Sequence, residues 1–112
     1  MSFQHKGLAS GRWLELSFAE QMGNIGSEVH RSINWFRKKD DRFQAAFERA
    51  LELFDLTIAA GHHKGRLKEL CRSREYFCTL MLEPEKIPGL EYELTSFDNY
   101  FTQFALLARK SK

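Results

Sequence analysis

Residues 17–38 read SFAEQMGNIGSEVHRSINWFRK, and their spacing decides the fold class. Ser17-Phe18-Ala19-Glu20 has the form of a capping box, in which a serine hydroxyl and a glutamate three residues later satisfy backbone N–H groups that a helix start leaves without partners. Phe18, Met22, Ile25, Val29, Ile33 and Phe36 then recur at steps of four and three. A half-buried strand would repeat every second residue, so these side chains share one stripe of an α-helix. Gly23 and Gly26 interrupt good helix formers at a cost of about 1 kcal/mol each relative to alanine, which predicts a close backbone approach by a neighbouring helix or a ligand. The run Arg37-Lys38-Lys39 complements the negative pole of the helix dipole.

Outward from this helix, three more periodic segments appear. Asp40 or Asp41, with Gln44, caps a second helix over 41–60 whose stripe is Phe43, Phe47, Ala50, Phe54 and Ile58, and Gly61 ends it. After the link His62-His63-Lys64-Gly65, Leu67, Leu70, Cys71, Phe77, Cys78 and Met81 line a third helix over 65–82, stopped by Pro84. Pro84, Pro88 and Gly89 make 83–95 the longest connection, in which Leu90, Tyr92 and Leu94 alternate as in a brief extended segment. Thr95 with Asp98 caps a fourth helix over 96–109, with Phe97, Phe101, Phe104 and Ala108 facing inward. Residues 1–16, broken by Gly7 and Gly11, form an arm that docks through Trp13, Leu14 and Leu16. The expected architecture is a single all-α domain over 1–112, an antiparallel up-down four-helix bundle.

Composition agrees with a packed domain. The 112 residues include ten Phe, three Tyr and two Trp but only two Pro, enough large apolar side chains for one core. No apolar run approaches a membrane span, and Met1 to Gly11 lacks the apolar stretch of a signal peptide, so a cytoplasmic location without membrane contact is expected. Cys71 and Cys78 stand two helical turns apart, about 10 Å, too far for a disulfide, and read as small buried apolar residues. No metal or cofactor is expected: no Glu precedes a His by three residues as bundle di-metal sites require, and His62 and His63 are adjacent on a turn. Phosphate-cradling, dinucleotide and nucleophile-elbow motifs are absent from the sequence, which points to a non-enzymatic role.

Two groups of residues remain as candidate sites. Arg74 falls in step with Leu67, Cys71, Cys78 and Met81 and so points toward the apolar seam, where a charge needs a carboxylate from Asp55, Glu52 or Glu28. The same cluster read functionally is an interhelix polar pocket for a small anionic ligand. The second group is basic. Arg37, Lys38, Lys39 and Arg42 surround the first interhelix turn, while Lys64, Arg66, Lys68 and Arg72 run from the second turn along helix three, at the other end of an up-down bundle. Phosphates would meet such charges with salt-sensitive, sequence-indifferent affinity. The net charge of only +2 gives the distribution more weight than the total.

With Asn24-Ile25-Gly26 in its first helix and an aromatic last helix ending in Ala108-Arg109-Lys110, the chain resembles the rRNA-intervening-sequence proteins and is similar to the accessory bundles of diversity-generating retroelements. That resemblance covers the helical order over most of the chain. It implies a basic homo-oligomer that binds RNA or a nucleoprotein partner, and brings no catalytic residues. The resulting expectation is a non-enzymatic interaction bundle, with small-anion binding around Arg74 as the alternative.

Overall fold

Ser17 opens the first long helix as its neighbours require: its hydroxyl accepts from the Glu20 backbone N–H at 3.1 Å, and its own N–H donates to the Glu20 carboxylate at 2.9 Å. The computed structural model describes residues 11–61 and 64–110. A 3-10 turn over Arg12–Glu15 leads into α1 (Phe18–Arg37), followed by α2 (Arg42–Ala60), α3 (Leu67–Leu82), α4 (Leu90–Tyr100) and α5 (Thr102–Lys110). α4 and α5 make one rod with a hitch at Phe101, whose backbone stays right-handed helical at φ −75° and ψ −19°. The chain is therefore an all-α four-helix bundle, with no strand among the described residues.

Contacts between neighbouring rods run in opposite chain order. From one end of the α1/α2 pair to the other, Trp13 meets Thr57, Glu28 meets Arg49 and Phe36 meets Phe43. Between α1 and the last rod, Phe18 meets Phe104, Gly26 meets Phe101 and Arg37 meets Glu91. Met22, Ile25, Val29 and Ile33 of α1 are fully buried, against Phe47 and Phe54 of α2, Phe77 and Leu80 of α3, and Leu94, Phe97, Phe101 and Phe104 of the last rod. Each such side chain removed from water contributes about 1.5–3 kcal/mol. The stripe of α1 thus forms the spine of the core. Gly26 explains how the last rod comes so close: a Cβ there would stand 2.5 Å from the Phe101 Cβ. The helix expected to fill the space beside the two glycines is this rod.

The link between α1 and α2 is a Schellman turn. Lys39 N–H donates to Phe36 O at 3.1 Å and Asp40 N–H to Trp35 O at 3.0 Å, with Lys39 in the left-handed region at φ 53°. Glycine normally holds that position, because a Cβ there crowds the following carbonyl by roughly 1–2 kcal/mol. Lys39→Gly is expected to raise stability by about 1 kcal/mol in urea unfolding; a loss would show that the Lys39 stem packs usefully at the turn. Asp40 performs the capping, its carboxylate accepting from the Arg42 N–H at 2.9 Å.

Several sequence expectations change. The fourth rod starts at Leu90, not residue 96, and the connection shrinks to Glu83–Gly89 around a 3-10 turn at Pro84–Lys86. Gly89, left-handed at φ 65°, reverses the chain in one residue, and Leu90, Leu94, Phe97 and Phe101 then form a helical stripe where alternation suggested an extended segment. On α3 the buried residues are Leu70, Phe77, Leu80 and Met81, which rotates Leu67 and Cys71 into solvent. Helix α3 itself begins at Leu67 after a 3-10 turn at Lys64–Arg66. Of the entry arm, residues 1–10 lie outside the described residues; Trp13 is buried, Leu16 half-buried and Leu14 exposed.

Candidate functional site

The basic residues at the α1–α2 turn divide by partner. Arg37 reaches Glu91 at 2.6 Å and Thr95 Oγ1 at 3.0 Å, tying the end of α1 to the start of the last rod. Arg42 grips Asp40 through two side-chain hydrogen bonds of 2.9 Å. Those bonds, with the Arg42 backbone N–H, lower the Asp40 carboxyl to a pKa of about 2. The same guanidinium lies 3.8 Å from the centroid of the Trp35 ring, and the Lys38 ammonium lies 5.2 Å from it. Lys38 and Lys39 are exposed and no carboxylate among the described residues is within ion-pair distance of either.

At the opposite end, Arg66 bonds Glu69 at 2.9 Å and lays its guanidinium 4.6 Å from the Phe18 ring and 5.6 Å from the Phe104 ring. Lys68 and Arg72, one turn apart on α3, are exposed and lack a carboxylate partner among the described residues. The Lys64 side chain lies outside the description. Because Phe104 of α5 lies under Arg66, the exposed Arg109 and Lys110 at the end of α5 come to this same end of the bundle. The sequence groups them with the last helix only; the contact of Arg66 with Phe104 is what brings the end of α5 beside the α2–α3 turn. Cations in the first turns of α3 oppose its dipole, at a cost of about 0.3–1 kcal/mol each, so helix stability alone does not account for them.

Arg74 and Asp55 are brought together, with Arg74 Nε donating at 2.8 Å, in a pair across α2 and α3 at the bundle surface. Glu28 does not join it. That carboxylate is buried between α1 and α2 and takes Arg31 at 2.7 Å and Arg49 at 3.2 Å, while Glu52 is half-buried on α2. Of the residues read from the sequence as one pocket, Arg74 and Asp55 are therefore brought together, while Glu28 is held by Arg31 and Arg49 instead. Burial pushes the Cys78 thiol up, away from reactivity.

Two grooves lie beside the last rod. One, of about 410 Å³, runs between α1 and the last rod past Gly23, Gly26 and Ala105, and holds His30 Nδ1 at 2.8 Å from Asp98 Oδ2. The other, of about 510 Å³, separates α3 from α4 and is lined by Glu69, Arg72, Ser73, Tyr76, Glu93, Ser96, Phe97 and Tyr100. Its rings form a wall: Tyr76 meets Phe97 edge-on at 5.6 Å, and Phe97 lies nearly parallel to Tyr100 at 6.4 Å. Tyr76 donates to Glu93 at 2.5 Å. The Tyr100 hydroxyl is shut from solvent beside Ser73 and Glu69, near enough to feel both but without a well-formed hydrogen bond to either. Sequence reading missed this groove, because nothing along one chain says that Ser73 and Ser96, both small, face the same gap.

Burial, then the Glu93 carboxylate, pushes the Tyr76 phenol up to about 12. A phenol held above its ordinary pKa of 10 contributes its full share of stability below pH 10 and loses it as pH rises through 10 toward 12. Wild type should lose stability across that window more steeply than Tyr76→Phe in alkaline unfolding. Equal slopes would show that the phenol is not held protonated by the fold.

Among the described residues no cluster of three His, Cys, Asp or Glu side chains is placed to hold a metal ion, and no helix is long and apolar enough to cross a membrane. Neither the protein-family models, the curated proteins nor the solved structures contain a match to this chain.

Proposed function

We propose that this bundle is a non-enzymatic interaction module that binds RNA, alone or within a nucleoprotein, as a homo-oligomer. The observation that carries the reading is the basic end formed by Arg66 of the 3-10 turn and Lys68 and Arg72 of α3 with Arg109 and Lys110 of α5, where only Arg66 is paired to a carboxylate among the described residues. Cations without carboxylate partners remain available to phosphates, and release of counterions from the nucleic acid then supplies affinity. Lys38 and Lys39 add a second, smaller basic point at the other end. Self-association is supported by the exposure of Leu67 at the start of α3 and of Leu106 and Leu107 on α5, apolar side chains that burial against a second chain would remove from water. The other reading, an anion pocket around Arg74, has less behind it: the Arg74 guanidinium is engaged by Asp55.

The test is binding of single-stranded RNA across a salt series, with light scattering on the same sample. Affinity that falls steeply with salt, in a particle heavier than one chain, is the expected result. Lys68→Ala should reduce the slope of log K against log salt by about 1, as loss of one phosphate contact does. Absence of binding at low salt would remove the reading.

A further inference from the structure

We propose that the groove between α3 and α4 seats a nucleoside 5′-phosphate unit, with the base against the Tyr76, Phe97 and Tyr100 rings and the phosphate at Arg72. Its volume of about 510 Å³ falls within the range of small-molecule sites. A flat ring suits the wall better than an aliphatic chain, because aromatic faces and edges already alternate along it and every base has a π-face to offer. Polar groups border that wall on both helices: the Ser73 and Ser96 hydroxyls and the Glu93 carboxylate, which the Tyr76 phenol occupies on one oxygen. Such a mixture of donors and acceptors beside an apolar face matches the in-plane hydrogen-bonding edge of a heteroaromatic base.

Charge sets the direction of the ligand. Glu69 is already engaged by Arg66, so Arg72 is the cation of the groove that lacks a carboxylate partner among the described residues. Arg72 precedes Tyr76 by one turn, about 6 Å along the helix, which is the reach between a base and its 5′-phosphate. Lys68 stands a further turn away, where a following phosphate of a strand would lie. Finally, the Tyr100 hydroxyl, which lies beside Ser73 and Glu69 without a well-formed hydrogen bond, is a polar group that a small shift of its side chain would turn to a ligand in the groove.

A free nucleotide and a nucleotide within an RNA strand present the same chemistry, and only the second case rests on the function proposed above. The experiment is calorimetric titration of the whole protein with 5′-AMP, 5′-GMP, 5′-CMP, 5′-UMP, ribose 5-phosphate and a ten-nucleotide RNA. At least one nucleotide should bind, with ribose 5-phosphate at least about tenfold weaker. Arg72→Ala should weaken the nucleotide about tenfold or more. Tyr100→Phe should weaken it severalfold while leaving the thermal midpoint unchanged or higher, an opposition of signs that a purely structural tyrosine would not give.

Ribose 5-phosphate binding as well as the nucleotides, or indifference to both substitutions, would overturn the proposal. So would failure of every nucleotide to bind by about 10 mM. RNA binding that responds to Lys38→Ala and Lys39→Ala but not to Arg72→Ala or Tyr100→Phe leaves the RNA reading standing and overturns the groove. Nucleotide binding without RNA binding does the reverse, and makes the groove a site for free nucleotides.

Discussion

Gly26→Ala is expected to destabilise the bundle by about 1–3 kcal/mol even though alanine is the better helix former by about 1 kcal/mol. The added Cβ would lie 2.5 Å from the Phe101 Cβ and 3.0 Å from its Cγ. Both atoms sit at the root of the Phe101 side chain, so no rotation about its outer bonds relieves the clash. Relief requires α1 and the last rod to part, which disturbs Phe101 against Phe54 and Phe97. Gly23→Ala is the internal control with the opposite sign. A Cβ there meets the Ala105 backbone at 3.7 Å, an ordinary contact, and the substitution should stabilise by up to about 1 kcal/mol. Urea midpoints for the two variants, at unchanged slope, decide the matter. If Gly26→Ala is neutral, the two rods stand farther apart in solution than their backbones indicate here.

The same glycine pair shows what a sequence can and cannot say. Two glycines in an otherwise well-capped helix signal a close approach, and the apolar stripe on either side of them sets the buried face of α1: Met22, Ile25, Val29 and Ile33 are all fully buried. Periodicity this long leaves little freedom. Residues 83–95 carried less information, because Leu90, Tyr92 and Leu94 satisfy a period of two as well as Leu90, Leu94 and Phe97 satisfy steps of four and three. The exposure of Tyr92 and the left-handed Gly89 resolve the ambiguity only once the tertiary fold is known. On α3, Leu70, Phe77 and Met81 of the expected stripe are buried, yet a modest rotation of the helix adds Leu80 to the core, turns Leu67 and Cys71 to solvent and leaves Arg74 at the flank.

Sites were less legible than helices for the same reason. A charge partner within one helix follows from spacing, as with Glu28 and Arg31, whereas a partner across helices depends on rotation and offset. Three carboxylates were within reach of Arg74 by sequence; the fold gives it Asp55 and turns Glu28 to Arg31 and Arg49. The α3/α4 groove depends on rotation entirely, since its eight lining residues are remarkable only in combination. Even the gathering of Arg109 and Lys110 with Lys68 needs the path of the whole chain.

Trp13→Ala should produce the largest loss, about 3–5 kcal/mol, because it empties a fully buried site and orphans its neighbours. The Trp13 indole donates to Thr57 Oγ1 at 2.8 Å, and Thr57 in turn donates to Leu53 O, so the entry segment is fastened to α2 by a buried chain of hydrogen bonds. From α1, the buried Gln21 amide donates to the Trp13 carbonyl at 2.9 Å. Removing the indole leaves the Thr57 oxygen without its donor and opens a cavity between α1 and α2, whereas Trp13→Phe keeps most of the bulk and should lose only about 1–3 kcal/mol with the hydrogen bond. The alanine loss would consume a large part of the roughly 5–15 kcal/mol typical of a domain. The order Ala worse than Phe, in urea unfolding followed by circular dichroism, would establish the short turn before α1 as part of the cooperative core. A loss below about 1 kcal/mol for Trp13→Ala would mean instead that the turn detaches before the helices unfold, as a locally opening segment does.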